Sequence, residues 1–165
     1  MTQPEEIDRP AEPWQYPYIA GALDWGANFK TRVISENGNA VRYTIIPQIM
    51  IESTDSAVLG FLDEFCLEHG MNPRLREKEH NYRLEINRRD DVETLLRLLE
   101  PFVVSRRPEV EIVLEDLIPG LNERKHTTEE GFVKMMGHVD EIRKHTVQRS
   151  EPKYTQDYFR QQFNL

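Results

Sequence analysis

Residues 18–28, Tyr-Ile-Ala-Gly-Ala-Leu-Asp-Trp-Gly-Ala-Asn, form a short segment rich in small residues that predicts a helix. A strand is predicted next, over 29–36. The Asn37-Gly38 pair then favours a tight hairpin turn, because both residues tolerate positive φ. A second strand over 40–52 completes the hairpin, and Pro47 within it indicates an edge position or a bulge.

The later elements follow from caps, apolar spacing and helix breakers. They are a helix from Ser53 or Thr54 to Gly70, a hairpin over 72–79 and 82–88, a helix from an Asp90–Glu93 capping box through Leu99, a helix from Pro108 to Pro119, and a helix beginning at Thr127 or Thr128. The two hairpins predict one four-stranded antiparallel sheet with helices on one face. That arrangement is an α+β fold.

The length of 165 residues suits one domain. We expect a flexible tail over 1–15, the folded domain over 16–146, and a polar C-terminal tail over 147–165 whose aromatic residues dock on the domain. No stretch approaches the roughly 20 apolar residues of a membrane span, so no membrane partner is expected. The single cysteine, Cys66, excludes an internal disulfide and is predicted to be buried, which fits a reducing cytoplasm.

The charge is acidic overall but unevenly distributed. The net charge is −8, and the chain has 15 arginines, 6 lysines and 20 glutamates, a balance that suggests adaptation to salt. Residues 72–89 nevertheless contain six basic residues and three acidic ones. Potential is local, so the net charge does not exclude a basic surface.

Alternation along the strands predicts such a surface. Side chains two residues apart share a face of a strand. The polar residues that fall on one face are Asn28, Lys30 and Arg32 in the first strand, Arg74, Arg76 and Lys78 in the third, and Arg83 and Asn87 in the fourth. Arginine can read guanine and asparagine can read adenine, so this face is a candidate for binding double-stranded DNA.

Other chemistry is not indicated. The five histidines lack metal-ligand spacing with the cysteine, and neither a phosphate-binding glycine loop nor a nucleophile motif is present. No metal site and no cofactor are therefore predicted from these patterns.

The stretch Ile19–Ala27 (IAGALDWGA) resembles the LAGLIDADG motif of homing endonucleases, and the element order is similar to their αββαββα core. The resemblance covers roughly residues 16 to 145. Single-motif members of that family are homodimers, so it implies a dimer seam formed by Ala20, Gly21 and Asp24. It also implies an eight-stranded saddle over the DNA major groove, where each subunit's acidic residue at the eighth motif position holds a divalent metal for cleavage.

The sequence departs from the family at that eighth position, which is Gly26. The nearest acid, Asp24, lies two residues earlier, about 200° around a helix, and in the family this position is largely structural. Arg106 falls where the family has a basic residue near the phosphates. Ser53 or Thr54 falls where a polar residue positions water.

Three hypotheses result. The first is a sequence-specific DNA-binding protein derived from these endonucleases that does not cleave. The second is an active endonuclease that uses Asp24 and Arg106 with Mg²⁺. The third is a protein- or RNA-interaction module that retains the fold, which the strand glutamates and the acidic net charge favour.

Overall fold

The computed structural model describes residues 12–146 and 150–165. Its main elements, in chain order, are α1 (Gln15–Gly26), β1 (Ala27–Ser35), β2 (Tyr43–Ser53), α2 (Ser56–Glu68), β3 (Arg74–Glu77), β4 (Tyr82–Ile86), α3 (Arg89–Leu99), α4 (Arg107–Glu111), a π-helical stretch (Ile112–Leu117), α5 (Ile118–Asn122), α6 (Glu129–Lys144) and α7 (Gln156–Phe163). Two short 3₁₀ helices, Glu100–Phe102 and Lys125–Thr127, lie between them. The predicted α+β order of helix, hairpin, helix, hairpin and further helices is confirmed.

The two hairpins pair into one antiparallel sheet with the strand order β1-β2-β4-β3. β2 pairs along its whole length with β1, whereas its pairing with β4 begins only at Ile49. Pro47 therefore lies where β2 has a neighbouring strand on one side alone, which confirms the expected edge position. α1 ends earlier than predicted, because Ala27 already pairs with Ile51.

The core lies between one face of the sheet and the helices. Ile45, Ile49 and Ile51 alternate along β2 and are almost fully buried, as are Leu84 and Ile86 of β4. The first three helices all contact β2, so they cover this apolar face. The opposite face of the sheet has none of these three helices packed on it and is here called the open face.

Two predicted helix starts are wrong. α2 is capped by Asp55, whose carboxylate accepts the backbone N–H of Ala57, because Ser53 is still the last residue of β2. α3 begins at Arg89, so Asp90 lies inside the first turn and does not cap it. There its negative charge still favours the helix N-terminus. The expected stop of α2 is confirmed, since Gly70 has a φ of +76°.

Pro119 does not end its helix as predicted. The chain continues from α4 through the π-helical stretch into α5, which runs on to Asn122. A proline removes one hydrogen bond of the regular α-helical pattern. The wider π turns replace that pattern just before Pro119, so the helix passes the proline without stopping.

The described part of the C-terminal stretch, residues 150–165, docks on the domain. Phe159 of α7 is fully buried, and its ring lies 4.9 Å from that of Tyr43 and 4.8 Å from that of Phe132. Gln156 donates its backbone N–H to Asp140 of α6 over 2.7 Å. The other residues of the predicted tails, 1–11 and 147–149, lie outside the described residues.

Cys66 is buried, as expected from the sequence. Burial raises the pKa of its thiol to about 12, and the nearby carboxylates of Asp63 and Asp91 add to this rise. Among the helices that the structure describes, none is both long and apolar enough to cross a membrane.

We expect Phe159→Ala to lower the free energy of unfolding by about 3–5 kcal/mol, because it removes a large buried ring. The same change at Phe102, which is 42% exposed, is the control and should cost clearly less. Urea unfolding monitored by circular dichroism measures both. Equal losses for the two variants would show that α7 is not part of the core.

Candidate nucleic-acid interface

The strand register gathers the predicted residues of β1 on the open face. Asn28 lies opposite Met50 of β2, and Lys30 lies opposite Gln48. Residues directly opposite each other in an antiparallel pair share a face. Their neighbours, such as Phe29, point into the core and are buried.

The same register continues across the other strands. Met50 lies opposite Glu85 of β4, which in turn lies opposite Arg74 of β3. Two residues further along the same pair of strands, Arg76 of β3 lies opposite Arg83 of β4. The sheet therefore brings the predicted strand residues Asn28, Lys30, Arg32, Arg74, Arg76 and Arg83 together on its open face.

Two predicted residues lie beyond the strand ends. Lys78 does not continue the alternation of β3, because the strand stops at Glu77 and the backbone N–H of Lys78 donates to Asn81 to form the turn. Asn87 comes directly after β4 and accepts a 2.7 Å hydrogen bond from Gln48. Asn87 therefore lies at one end of the open face, whereas Lys78 lies in the turn at the opposite end of β4.

Two glutamates also lie on this face and pair with its arginines. Arg83 donates its Nε–H to Glu52 over 2.6 Å, and its guanidinium lies 3.6 Å from Glu85. Arg76 lies 3.8 Å from Glu85. The charges of Arg76 and Arg83 are thus balanced by those of Glu52 and Glu85, whereas Lys30, Arg32 and Arg74 are exposed and have no ion pair among the described residues.

A cleft of about 310 Å³ lies at the β1 side of the open face. Its lining includes Lys30 and Arg32 of β1, Glu52 and Arg83 of the two inner strands, and Arg143 of α6 with Ser150 further along the chain. Arg143 is held by Asp140 at 2.9 Å. The C-terminal part of the chain therefore borders the open face along β1.

The carboxylate of Asp24 connects α1 to the segment before α4. Its Oδ2 accepts the backbone N–H of Val104 over 2.9 Å, and its Oδ1 accepts that of Arg106 over 3.0 Å. Ser105 also donates its hydroxyl to the backbone carbonyl of Asp24, over 3.4 Å. Both carboxylate oxygens of Asp24 are therefore engaged within the subunit.

The side chain of Arg106 is engaged as well. Its guanidinium lies 3.1 Å from Glu109, a carboxylate that is almost completely buried. Within residues 12–146 and 150–165, no group of three histidine, cysteine or acidic residues is placed to hold a metal. Ser53 is engaged too, since its hydroxyl accepts the backbone N–H of Asp55.

The outer face of α1 is aromatic. Spacings of four, three and four residues separate Trp14, Tyr18, Gly21 and Trp25. These residues therefore lie along one side of the helix. Trp25 is 93% exposed, and a side chain at Gly21 would meet no atom within 4 Å. Ala20, predicted on the dimer seam, is buried in the core of its own subunit, so it is not on this outer face.

Solved structures share this arrangement at low sequence identity. The homing endonuclease I-CvuI, in complex with the I-CreI target, matches with a TM-score of 0.79 and 13% identity, over 92% of this chain and 93% of that one. The archaeal intron-encoded homing endonuclease I-Vdi141I, complexed with DNA, matches at 0.75 and 16%, over 88% and 92%. The homing endonuclease I-TnaI matches at 0.68 and 18%, over 90% and 95%. The chain has the LAGLIDADG homing endonuclease fold. No family model and no curated protein matches its sequence.

The motif alignment expected from the sequence, with Ile19 as the first position, puts the eighth position at Gly26. Gly26 is exposed at the point where α1 meets β1. A β-carbon built there would make only an ordinary 3.6 Å contact with Ile51. The fold would therefore accept an acidic side chain at Gly26, but the sequence does not supply one.

Sequence reasoning missed two features of this site. It assigned no role to Glu52, although Glu52 lies two residues after Met50 and therefore shares its face. It also treated Trp25 only as part of the motif, although the spacing of Trp14, Tyr18 and Trp25 was visible as one helix face. The exposure of that face depends on how α1 packs, which only the structure shows.

We expect Asp24→Ala to lower the free energy of unfolding by about 1–3 kcal/mol, because two backbone N–H groups lose a charged acceptor. Asp116→Ala is the matched control, since its carboxylate is 51% exposed and lies 4.0 Å from His138. Urea unfolding at neutral pH compares the two. A change no larger at Asp24 than at Asp116 would contradict this structural role.

Proposed function

We propose that this protein is a homodimeric, sequence-specific DNA-binding protein derived from LAGLIDADG homing endonucleases, and that it does not cleave its target. The observation that carries the proposal is the open face of the sheet, where arginine, lysine and amide side chains gather while helices cover the other face. Such side chains contact phosphates and read base edges in the major groove. We place the protein in the cytoplasm, in line with its free, buried cysteine.

The absence of cleavage is supported by the motif residues. Gly26 offers no metal ligand, and both carboxylate oxygens of Asp24 accept backbone N–H groups. Arg106 is paired with the buried Glu109, which leaves its charge compensated. Phosphodiester hydrolysis by these enzymes depends on metal-bound oxygens, so Mg²⁺ would be needed only if cleavage survived.

Dimer formation is supported by the outer face of α1. Trp14, Tyr18 and Trp25 expose large aromatic surfaces, and the same face has no charged side chain. Aromatic residues are enriched and charged residues depleted at interface cores. Gly21 lies between the aromatic residues, where its small size allows a second helix to approach closely. A second copy of the chain bound to this face would bring a second four-stranded sheet to the same DNA.

A second candidate function is a protein- or RNA-interaction module on the same fold. Glu52 and Glu85 favour the protein-binding form of this module, because two carboxylates on the open face repel a uniformly negative partner such as a nucleic acid. Selection of bound DNA separates the two candidates.

Selection of bound duplexes from a genomic library, at low and at high salt, should enrich a palindromic consensus, because the proposed dimer reads two equal half-sites. The selected duplex should stay intact with Mg²⁺ or Mn²⁺. Failure to enrich any sequence would favour the interaction module. Cleavage that Asp24→Asn abolishes would overturn the proposal of an inactive protein.

We expect the wild type to scatter light as a particle of twice the 19.5 kDa of one chain. Trp25→Glu should convert it to the monomer, because a charge would be buried in the proposed interface. Leu67→Glu is the control: Leu67 is 53% exposed on α2, outside the aromatic face, and its variant should remain dimeric. A monomeric wild type, or equal behaviour of both variants, would remove the dimer seam from α1.

A further inference from the structure

Charge on the open face differs between its edges and its centre. Lys30 and Arg32 on β1 and Arg74 on β3, here called the edge cations, are exposed, and the described residues give them no ion pair. Arg83, on the inner strand β4, is compensated by Glu52 and Glu85. The two edge strands therefore carry positive charge, and the two inner strands carry little.

The centre consists of two cross-strand contacts, here called the central pairs. Arg83 of β4 donates to Glu52 of β2 over 2.6 Å, and Gln48 of β2 donates to Asn87 at the end of β4 over 2.7 Å. Arg83 and Glu52 are each about three-quarters buried, with 24% and 25% of the side chain exposed. These contacts fix the orientation of hydrogen-bonding groups before any ligand arrives.

The width of the sheet matches the width of the DNA groove. Adjacent strands lie about 4.8 Å apart, which puts β1 and β3 about 14 Å from each other. The major groove of B-DNA is about 12 Å wide. A sheet whose strands run along the groove would therefore place the edge cations over the phosphates on both sides, and the central pairs over the floor of the groove.

The glutamates support the same division. A carboxylate close to a phosphate is repelled, and this repulsion strengthens as water leaves an interface. Over the groove floor, a carboxylate can instead accept a hydrogen bond from the amino group of cytosine. The position of Glu52 beside Arg83 is thus unfavourable for a phosphate contact and favourable for reading a base pair.

We propose that the central pairs are the specificity-determining residues of the open face: Arg83 with Glu52 reads a G·C pair, Gln48 with Asn87 reads an A·T pair, and the edge cations contact phosphates. The arginine supplies donors to guanine, the glutamate accepts from cytosine, and the amides match the edge of adenine. This inference rests on the proposed DNA-binding function. It assigns base reading to the inner strands and phosphate contact to the edge strands.

The double variant Glu52→Gln with Arg83→Gln tests the first central pair, because it removes both charges and leaves the net charge unchanged. Selection of bound duplexes should show the preference for one G·C pair reduced by about 5- to 150-fold. The slope of log affinity against log salt should stay as in the wild type, since no phosphate contact is lost. Asn87→Ala should weaken the preference for A·T at a different position of the same half-site.

Arg74→Gln is the matched control on the same face. In the proposed homodimer it removes one phosphate contact from each subunit, so it should lower the salt slope by about 1.8 and keep every base preference. If the double variant does not fold, as judged by circular dichroism, Arg83→Lys replaces it. Lysine keeps the charge but not the planar fork of donors, so the G·C preference should fall and the slope should not.

Two results would overturn the inference. The first is a double variant that flattens the salt slope as Arg74→Gln does while retaining the G·C preference. The second is a consensus that lacks a fixed G·C and a fixed A·T pair in each half-site. A wild type that binds no duplex at any salt would instead refute the proposed function itself, so the two failures are distinguishable.

Discussion

The antiparallel pairing of β2 with β4 is the constraint on which the other features depend. It joins the two hairpins, and its register aligns Ile51 with Leu84 on the core side and Glu52 with Arg83 on the open side. A slip of one residue would exchange the two faces, placing charged side chains against the helices. The burial of the isoleucines of β2 therefore also decides which polar groups meet on the open face.

The motif helix combines two roles that the sequence does not separate. Its inner side packs Ile19 and Leu23 into the core, and Asp24 ties its last turn to the backbone before α4. Its outer side leaves Trp25 exposed. A carboxylate that accepts two backbone N–H groups stabilises the fold, and the same engagement reduces what it can offer to a metal. The family resemblance and the case against cleavage thus come from one helix.

The acidic net charge and a DNA-binding surface are compatible because the glutamates of the open face lie beside arginines. Ion pairs such as Arg83 with Glu52 cancel charge at the positions that the proposed DNA complex keeps away from phosphates. The edge cations are exposed and have no ion pair among the described residues, so positive charge remains at the edges of the face although the net charge is negative. Mixed charge on the sheet is consequently compatible with the proposed surface, in which some side chains contact the phosphate backbone and others read bases.

The sequence by itself determined the order of elements, the α+β class and the alternation that places Lys30, Arg32 and Arg83 on one face, because strand periodicity and turn residues act locally. It also aligned Gly26 with the motif position at which the family resemblance implies a metal ligand. It failed where longer-range packing decides: the passage of the helix through Pro119, the burial of Ala20, and the surface on which Phe159 docks. Only the tertiary structure could pair Glu52 with Arg83 and engage both oxygens of Asp24, because residues 31 and about 80 positions apart meet only once the sheet and helices have packed.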